Sequence, residues 1–284
     1  MSASPAPSPS GPPEVTCPVW SDVAEIRRRS PLVLNITNFV VMNLTANALL
    51  ALGASPVMAH ATEELDEMID LAQALVINIG TLSREWIEAM ERAVVAAGRR
   101  GIPVVIDPVG SGATRFRTDT ARRLLALAGP EVLRANASEV RALANAAGGT
   151  RGVDAVHEST EALDSARRLC REFGCTVSIS GSTDFVVDSI SHFEIRNGND
   201  LMPKVTGLGC TASALTAAFC AVNPSPVRAA AHAMALMGVA GELAAAQSNG
   251  PGTFVPHFLD TLYAINATTL APRLQMSTHI HTAA

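Results

Sequence analysis

From Pro31 onward the chain alternates short apolar runs with longer helical segments, and this alternation narrows the possible folds more than any other feature. Ala74-Leu-Val-Ile-Asn-Ile-Gly80 is a β-branched run ending in a glycine turn, and Ile102-Pro-Val-Val-Ile106 is another. Pro56-Val-Met58 follows a helical stretch closed by Leu52-Gly53, and 132–134 and 176–180 supply two further short runs. Continuous apolar strands of this length are typical of a parallel sheet covered on both faces. Helical patterns at 62–72, 83–97, 118–128, 138–146 and 160–173 separate them. The expected fold is an α/β three-layer sandwich with a mostly parallel central sheet. Segment 185–195 breaks the rhythm and reads as an antiparallel hairpin around 188–191; helices at 210–221, 227–246 and about 253–267 follow. No repeat or linker divides the chain, so 21–272 is read as one domain. It lies between a Pro/Ser-rich tail at 1–20, expected to be disordered, and a frayed C-terminal tail at 273–284.

Hydrophobic residues make up 48% of the 284, enough for a core and a buried subunit interface, while charged residues are only 17%. A net charge of −5 and the lack of a basic stripe with interleaved aromatics argue against nucleic-acid binding. The N-terminal stretch has neither the basic start nor the apolar centre of a targeting peptide. The Ala-rich stretch 229–240 comes nearest to a membrane span, but it is short, contains His232 and runs into Glu242, so it reads as a buried helix and no membrane partner is expected. Five cysteines without paired metal spacing point to reduced thiols and a cytoplasmic protein. On that reading the four Asn-x-Ser/Thr sequons are chance matches.

The stretch Lys204-Val-Thr-Gly-Leu-Gly-Cys-Thr-Ala-Ser-Ala carries the clearest chemistry. Gly207-Leu208-Gly209 leads into a small-residue helix starting at Cys210. Helix-start amides are unpaired and carry partial positive charge, and the glycines admit a close ligand. The result is an anion hole of Gly207, Leu208, Gly209 and Cys210, suited to a phosphoryl group, with a thiol at its centre. The plainer reading is a tight loop with a buried cysteine. A Walker loop is excluded, since Lys204 is the only lysine in the chain and Val205 follows it. A dinucleotide fingerprint fits poorly, because the loop comes late in the chain and Ala212 replaces the third glycine.

In open parallel sheets ligands bind beyond the carboxyl ends of the strands. Asp107 follows the run at 102–106 and can hold a hydrated Mg²⁺, or simply begin an Asp-Pro turn. Arg134-Ala-Asn-Ala-Ser-Glu139 follows another run, with Ser138 a candidate helix cap and Glu139 in the first turn. Asn136 and Glu139 can position waters on Mg²⁺, and Arg134 offers charge to ATP phosphates; alternatively Glu139 only matches the helix dipole. Ser180-Gly181 ends a further strand and offers a hydroxyl and amides to phosphate, unless it is an ordinary turn.

Together these motifs resemble the paired signature of the ribokinase-like superfamily: Asn136-Ala-Ser-Glu139, then much later Gly207-Leu-Gly-Cys210. Within it the chain resembles the hydroxyethylthiazole kinase family from about 31 to 262. Further matching residues are Asn35-Ile-Thr-Asn38, Thr45-Ala-Asn47, the run from Leu49 to Met58, Asn78-Ile-Gly-Thr81, Asp107-Pro-Val109, Gly149-Thr-Arg-Gly-Val-Asp154 and Gly250-Pro-Gly-Thr-Phe254. The resemblance implies ATP-dependent phosphorylation of 5-(2-hydroxyethyl)-4-methylthiazole on its primary alcohol, toward thiamine. It implies that Met58 and Gly207 contact the thiazole, with Asn38 in the same substrate-side motif. By the same match Arg134 and Ser180 bind the nucleotide, and Asp107 and Glu139 are associated with Mg²⁺. Threonine is common in the family where this chain has Ser180. A homotrimer with sites between subunits is implied as well.

Relatives in the wider superfamily often carry Asp where this chain has Cys210. A thiol near ~8.5, lowered by a helix N-terminus, would let Cys210 orient the substrate hydroxyl or accept its proton late in transfer. Met58 taken alone reads as core, and His257 is read as structural. A sister kinase acting on hydroxymethylpyrimidine, a non-catalytic nucleotide-binding regulator and a nicotinamide oxidoreductase remain alternatives.

Overall fold

Successive residues of the parallel strands enter two separate cores, one on each face of a single sheet. The computed structural model describes residues 17–146 and 155–280. Its parallel strands are β1 (Leu32–Ile36), β2 (Ser55–Met58), β3 (Ala74–Asn78), β4 (Val104–Asp107), β5 (Val132–Asn136) and β6 (Thr176–Ser180). Antiparallel β7 (Asp184–Val187), β8 (Ser191–Ile195) and β9 (Met276–Ile280) extend the sheet, whose order is β2-β1-β3-β4-β5-β6-β7-β8-β9. Val33, Val76, Val105 and Val132 join one core; Leu34, Leu75, Ile77, Ile106 and Leu133 join the other. Both faces of these strands are thus dry, which is why their sequences run continuously apolar.

The helices divide accordingly. On the first face lie α1 (Pro18–Arg29), α2 (Met42–Leu52), α8 (Leu208–Cys220), α9 (Pro226–Gln247) and α10 (Pro251–Ala264). On the second lie α3 (Leu65–Leu71), α4 (Arg84–Arg100), α5 (Arg115–Ala128), α6 (Ala137–Asn145) and α7 (Ala155–Phe173). A short α11 (Ala267–Leu270) precedes β9. The expected three-layer α/β sandwich is what forms. Among the described residues α9 is the one helix long and apolar enough to cross a membrane, but 78% of that stretch is buried against the sheet and its neighbours. It serves as a core helix.

Two chain ends differ from expectation. The segment from Pro18, assigned to the tail, is α1: Val19, Val23 and Ile26 repeat at helical spacing and are fully buried. Arg27 fixes this helix by donating to Leu52 O, Leu262 O, Tyr263 O and Ile265 O, the last carbonyls of α2 and the end of α10. Asp22 on α1 accepts from Asn223 at 2.7 Å and lies 2.6 Å from His232 Nδ1 on α9. At the other end, 276–280 is paired along β8 rather than frayed, in register from Ser191↔Ile280 to Ile195↔Met276. Backbone hydrogen bonds hold it, since β9 buries little. The tail residues 1–16 and the match at 149–154 lie outside the described residues.

Candidate active site

The sheet reverses its winding between β1 and β3, and the polar residues converge on that carboxyl edge. Met58 ends β2, Asn38 follows β1, Asn78 ends β3, Asp107 ends β4, Asn136 ends β5 and Ser180 ends β6. Above them α8 begins at Leu208, two residues before the expected start, with Gly207 as its cap at φ 89°. A Cβ on Gly207 would lie 2.9 Å from Val41 Cγ1, so glycine suits both the dihedral and the space. The first α8 amides have no acceptor within the helix, as an anion hole requires; the first helical bond at this end is Thr211 N to Gly207 O, 2.8 Å.

A hydrogen-bonded chain links three expected residues to two that the sequence reading gave no role. Asn38 Nδ2 donates to Asn78 Oδ1 at 2.8 Å and to Cys210 Sγ at 3.5 Å. Asn78 Nδ2 donates to Asp107 Oδ2 at 2.8 Å, and Ser213 Oγ donates to the same oxygen at 2.7 Å. Asn78 and Ser213 were legible in principle. The first ends a strand, and the second stands one helical turn beyond Cys210 on the same face of α8. Arg117 braces the floor of this site, donating to Val109 O, Ile79 O and Gly80 O at 2.7–3.0 Å.

Asp107 is 1% exposed, and burial pushes its pKa up to about 6 against the opposing pull of Arg134, Ser213 and Asn78; the charge of Glu139 adds to the rise. Cys210 is raised too, to about 11, by burial and by the Asp107 charge, with Asn78 and Asn38 pulling the other way. The expected lowering by the helix start therefore does not hold, because desolvation of a thiolate outweighs the dipole. At neutral pH Cys210 is a thiol.

Glu139 is buried, not a surface acid. Its Oε1 accepts from Gly110 N at 2.8 Å and its Oε2 from Asn136 N at 3.0 Å. Asn136, rather than Ser138, caps α6: its Oδ1 accepts from Glu139 N and Ser138 Oγ, completing a capping box. The glutamate thus ties the loop after β4 to the start of α6. Arg134 is 7% exposed and its Nε has no hydrogen-bond partner among the described residues. Its guanidinium lies against α8, where a Cβ on Gly209 would come within 2.9 Å of Nη1. Arg134, Ser180, Gly181, Leu208 and Gly209 line a cavity of about 480 Å³, walled on its far side by the loop after β8.

The start of α8 therefore divides the site. Asn38 and Cys210 lie on one side of it, and Met58 on β2 is paired with Asn35 of β1. Arg134, Ser180 and the cavity lie on the other. Met58 is half-buried and takes no part in the hydrogen-bonded chain.

Comparison with known proteins agrees along the chain. Residues 23–268 match the Hydroxyethylthiazole kinase family. A hydroxyethylthiazole kinase from Syntrophus aciditrophicus is 56% identical over 258 residues, covering 90% of this chain and 96% of that protein. The structure of hydroxyethylthiazole kinase from Pyrococcus horikoshii superposes with a TM-score of 0.86 at 44% identity, over 92% of this chain and 98% of that one. Pyridoxal kinase from Staphylococcus aureus, in complex with AMP-PCP and pyridoxal, shares the fold at a TM-score of 0.64 and 16% identity, over 88% and 99%.

Proposed function

Because the chain belongs to the hydroxyethylthiazole kinase family, we propose that it transfers the γ-phosphoryl group of ATP to the primary alcohol of 5-(2-hydroxyethyl)-4-methylthiazole. The observation that carries this reading is the single helix start that borders both halves of the site. The thiol of Cys210 stands on one side, and Arg134, whose Nε has no hydrogen-bond partner among the described residues, lies against Gly209 on the other.

ATP occupies the 480 Å³ cavity, with Arg134 and the Ser180-Gly181 turn on its phosphates. Thiazole lies near Met58, Asn38 and Gly207, and its hydroxyl faces Cys210. Phosphoryl transfer depends chiefly on placement and charge neutralisation, and the amides of Leu208, Gly209 and Cys210 are aimed where charge builds. Cys210 orients the hydroxyl; its raised pKa argues against a thiolate base. Asp107 and Glu139 suit Mg²⁺ by donor type, and an added cation would offset the uncompensated buried charge that raises Asp107. When bound, the ion would neutralise phosphate charge. With every Glu139 oxygen already accepting an amide, its hold on the ion would run largely through water.

We place the trimer contact beside the acceptor half, where Phe39 and Val40 are each 65% exposed immediately after Asn38. Light scattering on the eluting peak tests this, and a monomer would refute it. The free state of all five cysteines supports a reducing, cytoplasmic setting.

The deciding assay is ADP release with ATP, Mg²⁺ and hydroxyethylthiazole, against hydroxymethylpyrimidine and a no-acceptor control. Thiazole-dependent turnover is expected, and its absence in folded, ATP-binding protein would overturn the reading. Cys210→Ala should lower kcat about 10²-fold while thiazole still binds, and Cys210→Asp should remain active. An inactive Asp variant with intact thiazole binding would count against a base role at this position.

A further inference from the structure

On the last two strands of the sheet, beside the loop after β8, His192 on β8 and His279 on β9 are direct cross-strand partners. Glu194 is two residues on from His192, so its side chain leaves the same face. The two imidazoles stack with centroids 4.8 Å apart and planes 13° from parallel. Glu194 Oε1 lies 3.8 Å from His192 Nε2 and 3.6 Å from His279 Nε2. Arg196 donates to the other oxygen, Oε2, at 3.2 Å, which leaves Oε1 turned toward the rings.

We infer that His192, Glu194 and His279 form a zinc site that fastens β9 to the sheet. Two imidazoles and a carboxylate are a zinc donor set, with water completing a tetrahedron. Ligand atoms around tetrahedral zinc stand about 3.4 Å apart, as follows from its bond lengths. The three donors here all lie within 4.8 Å of one another, and both histidine–carboxylate spacings are already close to the required value. Closing the rest takes a rotation of His279, whose side chain is 48% exposed and whose Nε2 would give up Ser277 Oγ at 3.2 Å.

The placement explains what such a clip would do. β9 is exposed over four of its five residues, so side-chain burial contributes little to holding it. A ligand bridge between β8 and β9 would supply what burial does not. The family match spans 23–268 and does not itself reach β9.

The test is calorimetric titration of the EDTA-treated full-length protein with ZnCl₂, with CoCl₂ as a visible-absorbing substitute. One ion per chain is expected, bound at least tenfold more weakly by His279→Gln and by Glu194→Gln. Zinc should also slow carboxypeptidase digestion of wild type but not of His279→Gln, while thiazole kinase turnover of His279→Gln is unchanged. Position 279 is half exposed, so this variant should keep the zinc-free melting temperature. Zinc binding of equal strength in His279→Gln, or binding that disappears in Cys210→Ser instead, would overturn the assignment, as would no binding at all.

Discussion

The parallel half of the sheet, β2 to β6, and its antiparallel extension, β7 to β9, are built from different sequence and serve different ends. In the parallel half every strand points its carboxyl end the same way, so one polar residue per strand arrives on a common edge. In the extension the direction alternates, so no such row forms; its loop after β8 instead walls the cavity proposed for ATP. Each half holds one buried aspartate with a pKa raised by burial to about 6, Asp107 at the end of β4 and Asp184 at the start of β7. Asp107 sits in the hydrogen-bonded chain that reaches Cys210. Asp184 accepts from Gly181 N at 2.9 Å and fixes the turn after Ser180. Similar burial thus sits in different settings, one in the hydrogen-bonded chain below Cys210 and one bracing a turn at the cavity.

The strongest way to break this contrast is Asp107→Asn. It should cost about 10²–10³ in kcat with Tm at neutral pH unchanged or higher, since the amide oxygen still accepts from Asn78 and Ser213. Retention of full turnover would remove Asp107 from the site. Gly209→Ala comes next: the new Cβ displaces the Arg134 guanidinium, and KM for ATP should rise about tenfold while KM for thiazole holds. An equal rise in both constants would show that α8 itself had shifted.

Asp184→Asn should change KM for ATP less than tenfold and leave kcat in place. Both aspartates bind protons more readily in the native than in the unfolded chain. Their stabilising contribution is therefore complete below the ordinary value of 3.8 and is lost as pH rises through about 6. Chemical denaturation between pH 4 and 6 should show a falling stability that each Asn variant flattens and the double variant flattens further. A slope untouched by either would mean that neither carboxyl is held as described. The smallest effect is expected from removing 276–284, which should lower Tm by about 2–4 °C and leave thiazole KM alone. A larger loss would make β9 integral to the cavity wall.

The same contrast explains what could be read in the sequence. Ala74–Asn78 and Val104–Asp107 announce themselves because both faces are dry, and the rule that ligands gather at carboxyl ends then leads to Asp107, Arg134 and Ser180. β9 is invisible to that logic. Met-Ser-Thr-His-Ile has little apolar content, and backbone pairing to a strand some 80 residues earlier holds it. α1 was legible from Val19, Val23 and Ile26 but is overshadowed by the Pro/Ser-rich stretch beside it. The thiol's raised pKa could not be read, because it depends on how deeply Cys210 sits and on a carboxylate 103 positions away in sequence, brought near only by the fold.

The line from Ser213 and Asp107 through Asn78 and Asn38 to Cys210 also has a head and a tail. An ionised carboxylate can only accept, so Asn78 must turn its amino group toward Asp107 and its carbonyl toward Asn38. Asn38 must then show its amino group to the sulfur, while its oxygen takes the amide of Val40. Cys210 is thereby addressed as an acceptor, and its own hydrogen is left to point outward. Which way the thiol proton faces is thus set by the carboxylate at one end of the line and by the backbone amides of Gly80 and Val40 along it. Protonating Asp107 would not reverse the two amides, because Gly80 N at 2.9 Å and Val40 N at 3.1 Å still donate to the oxygens of Asn78 and Asn38.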